Sequence, residues 1–188
     1  MTKEIAAILA VGPYGVIGKG DKLVWHSKAD FKHFKAKTMN WPCIFGATTF
    51  YGLPNYPLKN RLNIVLNKPQ KEDTLVDPRG WLTFNDITKA YEYCENYDNV
   101  FVCGGKSIYE YVIKNNLVNT IYLTEVKSDK LEEEIHNNID DYVRLNIDFN
   151  LFEHGGWVCS SFEYPSEEDM KDDDVKVKFI KYIRINEV

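Results

Sequence analysis

The sequence lacks several features that would have assigned it quickly. It has no C-x-x-C pair; its four cysteines, Cys43, Cys94, Cys103 and Cys159, lie far apart. The four histidines, His26, His33, His136 and His154, are scattered too, so no zinc site is expected. Excess positive charge is absent, since the net charge is −5. That removes the usual electrostatic basis for nucleic-acid binding. The first apolar run, near IAAILAV, is about ten residues, too short to span a bilayer. No small-residue cleavage pattern follows it, so neither a signal peptide nor a membrane anchor is expected. The G-x-G-x-x-G fingerprint is missing as well.

What is present is core-forming material. Hydrophobic residues make up 44% of the 188 positions and aromatics 14%, which argues against disorder. The length suits one domain, residues 1–188. Strand-like runs recur: IAAILAV (5–11), PCIFG (42–46), LNIVL (62–66), WLTF (81–84), VFVCG (100–104) and TIYLTEV (120–126). Continuous apolar runs of this kind suit strands buried on both faces, as in a parallel sheet. The last two runs, 156–164 and 175–185, alternate more clearly and predict an antiparallel hairpin around the acidic connection PSEEDMKDDD. Helical patterns fall between the early strands, at 27–39, after PCIFG, at 85–97 with Asn85 or Asp86 as cap, and from Lys106. The fold class is therefore α/β. The acidic patches at 132–134 and 167–174 read as solvated loops. The cysteines in apolar runs read as free buried thiols of a reducing compartment.

Three features could carry chemistry. The segment KLVWHSKADFKHFKAKT, residues 22–38, has five lysines and one acid, Asp30. Ser27 and Asp30 have capping-box spacing, so Asp30 could simply steady a helix start. Phe34 lies one turn on and shares its face. If that face points inward with Trp25, desolvation would raise the Asp30 pKa and let it hold a proton near neutrality. In VFVCGGKSIY a buried strand meets Gly104-Gly105 and then a helix. Glycines allow close approach of a ligand, and a helix start attracts phosphate, although a plain tight turn would look the same. Arg61 could be solvated, or could grip a carboxylate with its planar fork.

In order along the chain, IAAILAV, GVIG, W-x-x-x-x-D-x-x-x-F-K, P-x-I-x-G-x-T-T-F, L-x-N-I-V-L, V-x-V-x-G-G-x-x-I-Y and I-Y-L-T-x-V resemble the dihydrofolate reductase family, over roughly residues 5 to 126. The resemblance implies that family's single-domain architecture: a central, mostly parallel twisted sheet flanked by helices, with a C-terminal antiparallel hairpin. It implies NADPH-dependent reduction of 7,8-dihydrofolate to 5,6,7,8-tetrahydrofolate, feeding one-carbon metabolism and thymidylate and purine synthesis. A cytoplasmic monomer that binds antifolates such as methotrexate is expected, with no metal, no nucleic-acid partner and no membrane association.

The same resemblance supplies roles. Asp30 would bind the pterin N3 and amino group and promote protonation at N5. Trp25 would close the active-site loop near a water that contacts the substrate, and Thr124 would link to Asp30. Ala6 and Ile8 would contribute from the first strand, Cys103 through its carbonyl, and Phe34 by packing between the pterin and benzoyl rings. Phe31 and Leu53 would line the benzoyl region, and Arg61 would bind the α-carboxylate of the glutamate tail. The cofactor would lie against Ala7, Ile17, Gly18, Gly46, Thr48, Thr49, Asn67, Lys68, a cis Gly104-Gly105 turn, Lys106, Ser107, Ile108 and Tyr109. The lysines of 22–38 would then form the solvent face and the mouth of a cleft for anionic ligands. Two positions depart from many members: Val24 replaces a proline before the loop tryptophan, and Ala47 replaces a basic residue near the cofactor 2′-phosphate. Lys68 and Lys106 are the candidates to compensate. The loop before Trp25 is also a few residues longer than in short bacterial members. The alternatives are another reductase of the same fold, such as the pyrimidine reductase of riboflavin synthesis, which would not be expected to carry the Trp25, Asp30, Phe34 and Arg61 set, and a non-catalytic relative, against which Asp30 argues.

Overall fold

The computed structural model describes residues 3–20, 22–67, 74–148 and 155–185. The chain divides into two compact units, one from residues 1–7 and 37–118, the other from 8–36 and 119–188.

The first unit is a sheet with strand order β1-β7-β3-β4-β6-β5. Its strands are β1 (Glu4–Val11), which continues into the second unit, β3 (Pro42–Gly46), β4 (Leu62–Leu66), β5 (Thr74–Asp77), β6 (Trp81–Phe84) and β7 (Asn99–Val102). Neighbours pair in parallel from β1 through β6, and β5 alone runs antiparallel. The reason lies in the runs themselves. Cys43, Ile44, Ile64, Val65, Val100 and Val102 are fully buried, and a sheet covered on both faces needs strands without an exposed alternate row. Helices α2 (Ala47–Tyr51), α3 (Ile87–Tyr93) and α4 (Lys106–Lys114) follow β3, β6 and β7. Asp86 caps α3 by accepting from the Thr88 N–H at 2.8 Å, one of the two caps expected from sequence.

The second unit holds β10 (Trp157–Glu163), β11 (Lys176–Arg184) and β8 (Thr120–Lys127), in the order β10-β11-β8-β1. β11 pairs antiparallel with both β10 and β8, so the terminal hairpin is present. Helix α1 (Lys28–Thr38) packs here, and His33 stacks on Phe179 of β11 at 3.9 Å between ring centroids. Strand β2 (Val16–Gly18) pairs with β9 (Val143–Arg144).

Three expectations change. Residues 132–134 belong to helix α5 (Asp129–Asn137), capped by Ser128, with Leu131 and Ile135 buried and the acids outward. Only two inward residues in nine mark that helix, too few to show as a period. The connection 165–174 contains the short helix α6 (Glu167–Met170) and is tied to α1 through Asp169, Asp172 and Asp173. Among the cysteines, Cys43, Cys94 and Cys103 are free and buried, whereas Cys159 on β10 is exposed. No helix among the described residues is long and apolar enough to cross a membrane.

Candidate active site

The second unit builds a proton-holding station. Ser27 begins α1 as its cap, its hydroxyl oxygen accepting from the Asp30 N–H at 3.1 Å. The Asp30 side chain does not complete the reciprocal box. Asp173 instead brings a carboxylate to the helix start from outside it: that carboxylate accepts from Ser27 Oγ at 2.7 Å, from the Lys28 N–H at 2.7 Å and from the Ala29 N–H at 3.4 Å. Asp30 is thereby released from capping, and its carboxylate receives a hydrogen bond from the Thr124 hydroxyl on β8. Burial pushes the Asp30 carboxyl above the usual carboxylate range, the Thr124 bond pulls it part of the way back, and the Asp173 charge pushes it up again. A carboxyl so placed holds a proton more readily than one in water.

Trp25 is buried one turn before α1, and the Cβ that Gly12 lacks would lie 2.9 Å from its ring. Among the described residues its Nε1 has no hydrogen-bond partner. A buried donor of this kind costs about 1–3 kcal/mol if it stays unmet, so the position suits a polar ligand atom or a water. Phe34 is half-buried on the Asp30 face, whereas Phe31 is 46% exposed, its ring 5.4 Å from that of His26. Lys22, Lys28, Lys32 and Lys35 face solvent, and two of them pair with the acidic connection: Lys28 with Asp172 at 2.6 Å and Lys32 with Asp169 at 2.7 Å. Ile8, on β1, is buried. Ile17 is half-buried and Gly18 buried on β2.

The first unit builds a bare backbone surface. The Gly104–Gly105 peptide is cis, and Gly104 has φ +106°, a value open to glycine and strained for other residues. The turn is pinned to the end of β3: the Cys103 N–H donates to the Ile44 carbonyl at 2.8 Å, and the Gly46 N–H donates to the Gly104 carbonyl at 2.7 Å. A Cβ on Gly46 would meet Ile108 Cδ1 at 2.9 Å, one on Gly104 the Tyr109 ring at 3.0 Å, and one on Gly105 would meet Thr49 Oγ1 at 2.7 Å. Gly46, Thr49, Gly104, Gly105, Ile108 and Tyr109 therefore form one cluster. Gly105 is also the N-cap of α4 and offers no side chain to its N–H groups. Bare glycine backbone at an uncapped helix start suits a phosphate-bearing ligand. Exposed Thr48, Lys106 and Ser107 border this surface. Asn67 follows β4, its N–H bonded to the Phe84 carbonyl. Lys68 lies outside the described residues.

Ala6 and Ala7 are buried on β1, and Cys103 is buried just after β7. Burial pushes the Cys103 thiol well above its usual pKa beside Cys43, so that thiol is an inert packing group and its backbone is the part available for recognition. Leu53 is half-buried after α2. Arg61 is not simply solvated. Its Nη1 donates to Thr38 Oγ1 at 3.2 Å and its Nε to the Lys59 carbonyl at 3.1 Å, which orients the fork and leaves other donors for a carboxylate. Thr38 and Asp173 are the two residues that sequence reading missed. Neither has a local pattern, because each acts on a partner distant in the chain.

A family model described as dihydrofolate reductase matches residues 4–184. The chain belongs to the dihydrofolate reductase family. It is similar to dihydrofolate reductase type 9 of Escherichia coli, 36% identical over 124 residues that cover 64% of this chain and 68% of that one. It is also similar to the dihydrofolate reductase of Mycoplasma genitalium, 27% identical over 155 residues, 77% of this chain and 96% of that one. A solved structure of dihydrofolate reductase from Enterococcus faecalis, complexed with NADP(H) and RAB-propyl, superposes with a TM-score of 0.75 over 97% of both chains at 22% identity. That likeness carries the dihydrofolate reductase fold.

Proposed function

We propose that this chain reduces 7,8-dihydrofolate to 5,6,7,8-tetrahydrofolate with NADPH, acting as a monomer. The observation that carries the reading is Asp30: a carboxyl on α1, hydrogen-bonded to the buried Thr124 and held above its usual pKa, in a chain of this family. When bound, NADPH supplies the hydride that the pterin C6 receives.

The remaining work falls to the protein. Asp30 holds the pterin through N3 and its amino group and stabilises the positive charge that grows as N5 takes a proton. Thr124 fixes the carboxylate's orientation. The Trp25 N–H holds a water near the substrate, and its ring excludes bulk solvent. The Cys103 carbonyl accepts from the pterin amino group. Ala6, Ile8, Phe31, Phe34 and Leu53 bound the aromatic parts of the substrate, and Arg61 binds the α-carboxylate of the glutamate. Gly46, Gly104 and Gly105 let the cofactor approach the backbone, and Thr49 borders them. The α4 start, with Lys106 and Ser107, receives its phosphate, and Ala7, Ile17, Gly18, Thr48, Asn67, Lys68, Ile108 and Tyr109 complete the cofactor contacts. Hydride transfer requires donor and acceptor carbons held about 3–3.5 Å apart.

Loss of the reduced-nicotinamide absorbance with purified protein, NADPH and dihydrofolate tests the reading. Turnover that stops with a tight, near-stoichiometric amount of methotrexate is expected. A folded protein with no turnover and no methotrexate binding would overturn it.

A further inference from the structure

The first turn of α1 is closed by a residue from the far end of the chain. Asp173 sits on the β10–β11 connection, and its two carboxylate oxygens take the Ser27 hydroxyl and the N–H groups of Lys28 and Ala29. Ser27 Oγ takes the next N–H, that of Asp30. The orphan donors at this helix start are thus met by one side chain and the hydroxyl it holds. Burial alone would push the Asp173 carboxyl up, but these hydrogen bonds outweigh it and hold it below the usual range. The outer pairs, Lys28–Asp172 and Lys32–Asp169, are exposed and contribute little.

A second anchor holds the same helix one turn further on. His33 stacks on Phe179 with rings 2° from parallel, and Phe179 is the register partner of Thr124. The strand partner of Thr124 and the start of α1 therefore both constrain the carboxylate between them.

We propose that Asp173 is a positioning residue for Asp30: by closing the first turn of α1 it fixes where the Asp30 carboxyl stands against Thr124. This rests on the reading of Asp30 given above. Capping keeps Asp30 from reaching back to the helix start, the role its spacing from Ser27 would otherwise give it. The charged groups around the pair are few. His26 precedes α1 and draws the Asp173 pKa down, Lys28 is turned to Asp172, and Lys127, Asp129, Asp174 and Lys176 line the hollow beside Asp173.

The test compares Asp173→Ala, Asp173→Asn and Asp172→Asn in the full chain, by single-turnover hydride transfer across pH and by NMR titration of labelled aspartate carboxyls, with the Asp30 signal assigned from Asp30→Asn. Asp173→Ala is expected to slow hydride transfer at neutral pH about tenfold, with the NADPH KM unchanged, and to lower the Asp30 pKa as the neighbouring charge is lost. Asp173→Asn is expected to restore part of the rate, because its one amide oxygen can still accept at the helix start whereas its NH2 group cannot. Asp172→Asn is expected to change neither readout. A folded Asp173→Ala with wild-type rate and wild-type Asp30 titration overturns the proposal, as does an equal effect of Asp172→Asn or a loss in Asp173→Asn as large as in Asp173→Ala. Should Asp173→Ala not fold, Ser27→Ala removes the shared hydroxyl while keeping the Asp173 charge, and is expected to slow hydride transfer in the same direction; a wild-type rate there also overturns it. The NMR titration needs no turnover, so a wild-type protein inactive on dihydrofolate would sink the functional reading while leaving this one decidable.

Discussion

The Asp30 carboxylate on α1 accepts a hydrogen bond from Thr124 on β8, a hydroxyl buried to 3% exposure. That bond favours the ionised form, whereas burial, the larger influence, opposes it. Burial therefore penalises the charged form that the Thr124 bond favours, and activity and stability should respond to removal of the carboxyl in opposite directions.

Asp30→Asn is expected to reduce turnover at neutral pH by about a hundredfold or more, with partial recovery at acid pH where the substrate arrives protonated. Its melting temperature should rise. The folded pKa is raised, so the stability linked to Asp30 is complete below its unfolded pKa and is lost as pH climbs through the folded value. Above the unfolded pKa that stability is given up as the pH rises, and the uncharged amide avoids the loss. Thermal melts across pH check this; a lower melting point for the variant at neutral pH would contradict the burial argument.

Gly105→Ala places a methyl 2.7 Å from Thr49 Oγ1. We expect NADPH binding to weaken by about tenfold or more, since repacking a tight contact of this kind costs about 1–3 kcal/mol, with dihydrofolate binding little changed. Adding Thr49→Ala should recover part of the cofactor affinity. Fluorescence titration of both ligands decides it; equal losses for both would indicate a general folding defect.

Arg61→Leu should weaken dihydrofolate far more than NADPH. Thr38→Val, which removes the oxygen that Arg61 Nη1 grips at 3.2 Å, should weaken dihydrofolate by a smaller factor, about threefold, through loss of a net hydrogen bond of about 0.5–1.5 kcal/mol. A truncated substrate without the glutamate tail should show neither effect. If it shows both, Arg61 does not serve the tail carboxylate.

With Ala47 offering no charge, the 2′-phosphate must be read by other cations. Lys68→Ala should lower the NADPH-over-NADH ratio of kcat/KM by about tenfold, the scale of one charge-assisted contact. Lys106→Ala, at the exposed first residue of α4, should lower it less. Steady-state kinetics with both cofactors give the ratios, and a ratio untouched by Lys68→Ala removes that residue from the assignment.

Several features were legible in the sequence because they are local. PCIFG, LNIVL and WLTF became β3, β4 and β6 with the same boundaries, since short runs this rich in apolar residues suit strands covered on both faces. The two glycines after VFVC signalled bare backbone ahead of a helix. Asp86 capped α3 because capping depends on residues two or three apart. The tertiary structure decided matters that no window contains. β2 and β9 span three and two residues and exist as strands only through each other. The acidic connection looked like solvated charge until α1 came to meet it. Asp30 has capping-box spacing from Ser27, yet the carboxylate that joins Ser27 at the helix start is that of Asp173, 146 residues from Ser27. Local pattern fixes periodicity and backbone preference. Which of two carboxylates meets the helix N–H groups, and which is left to hold a proton, depends on long-range packing that brings their donors within reach.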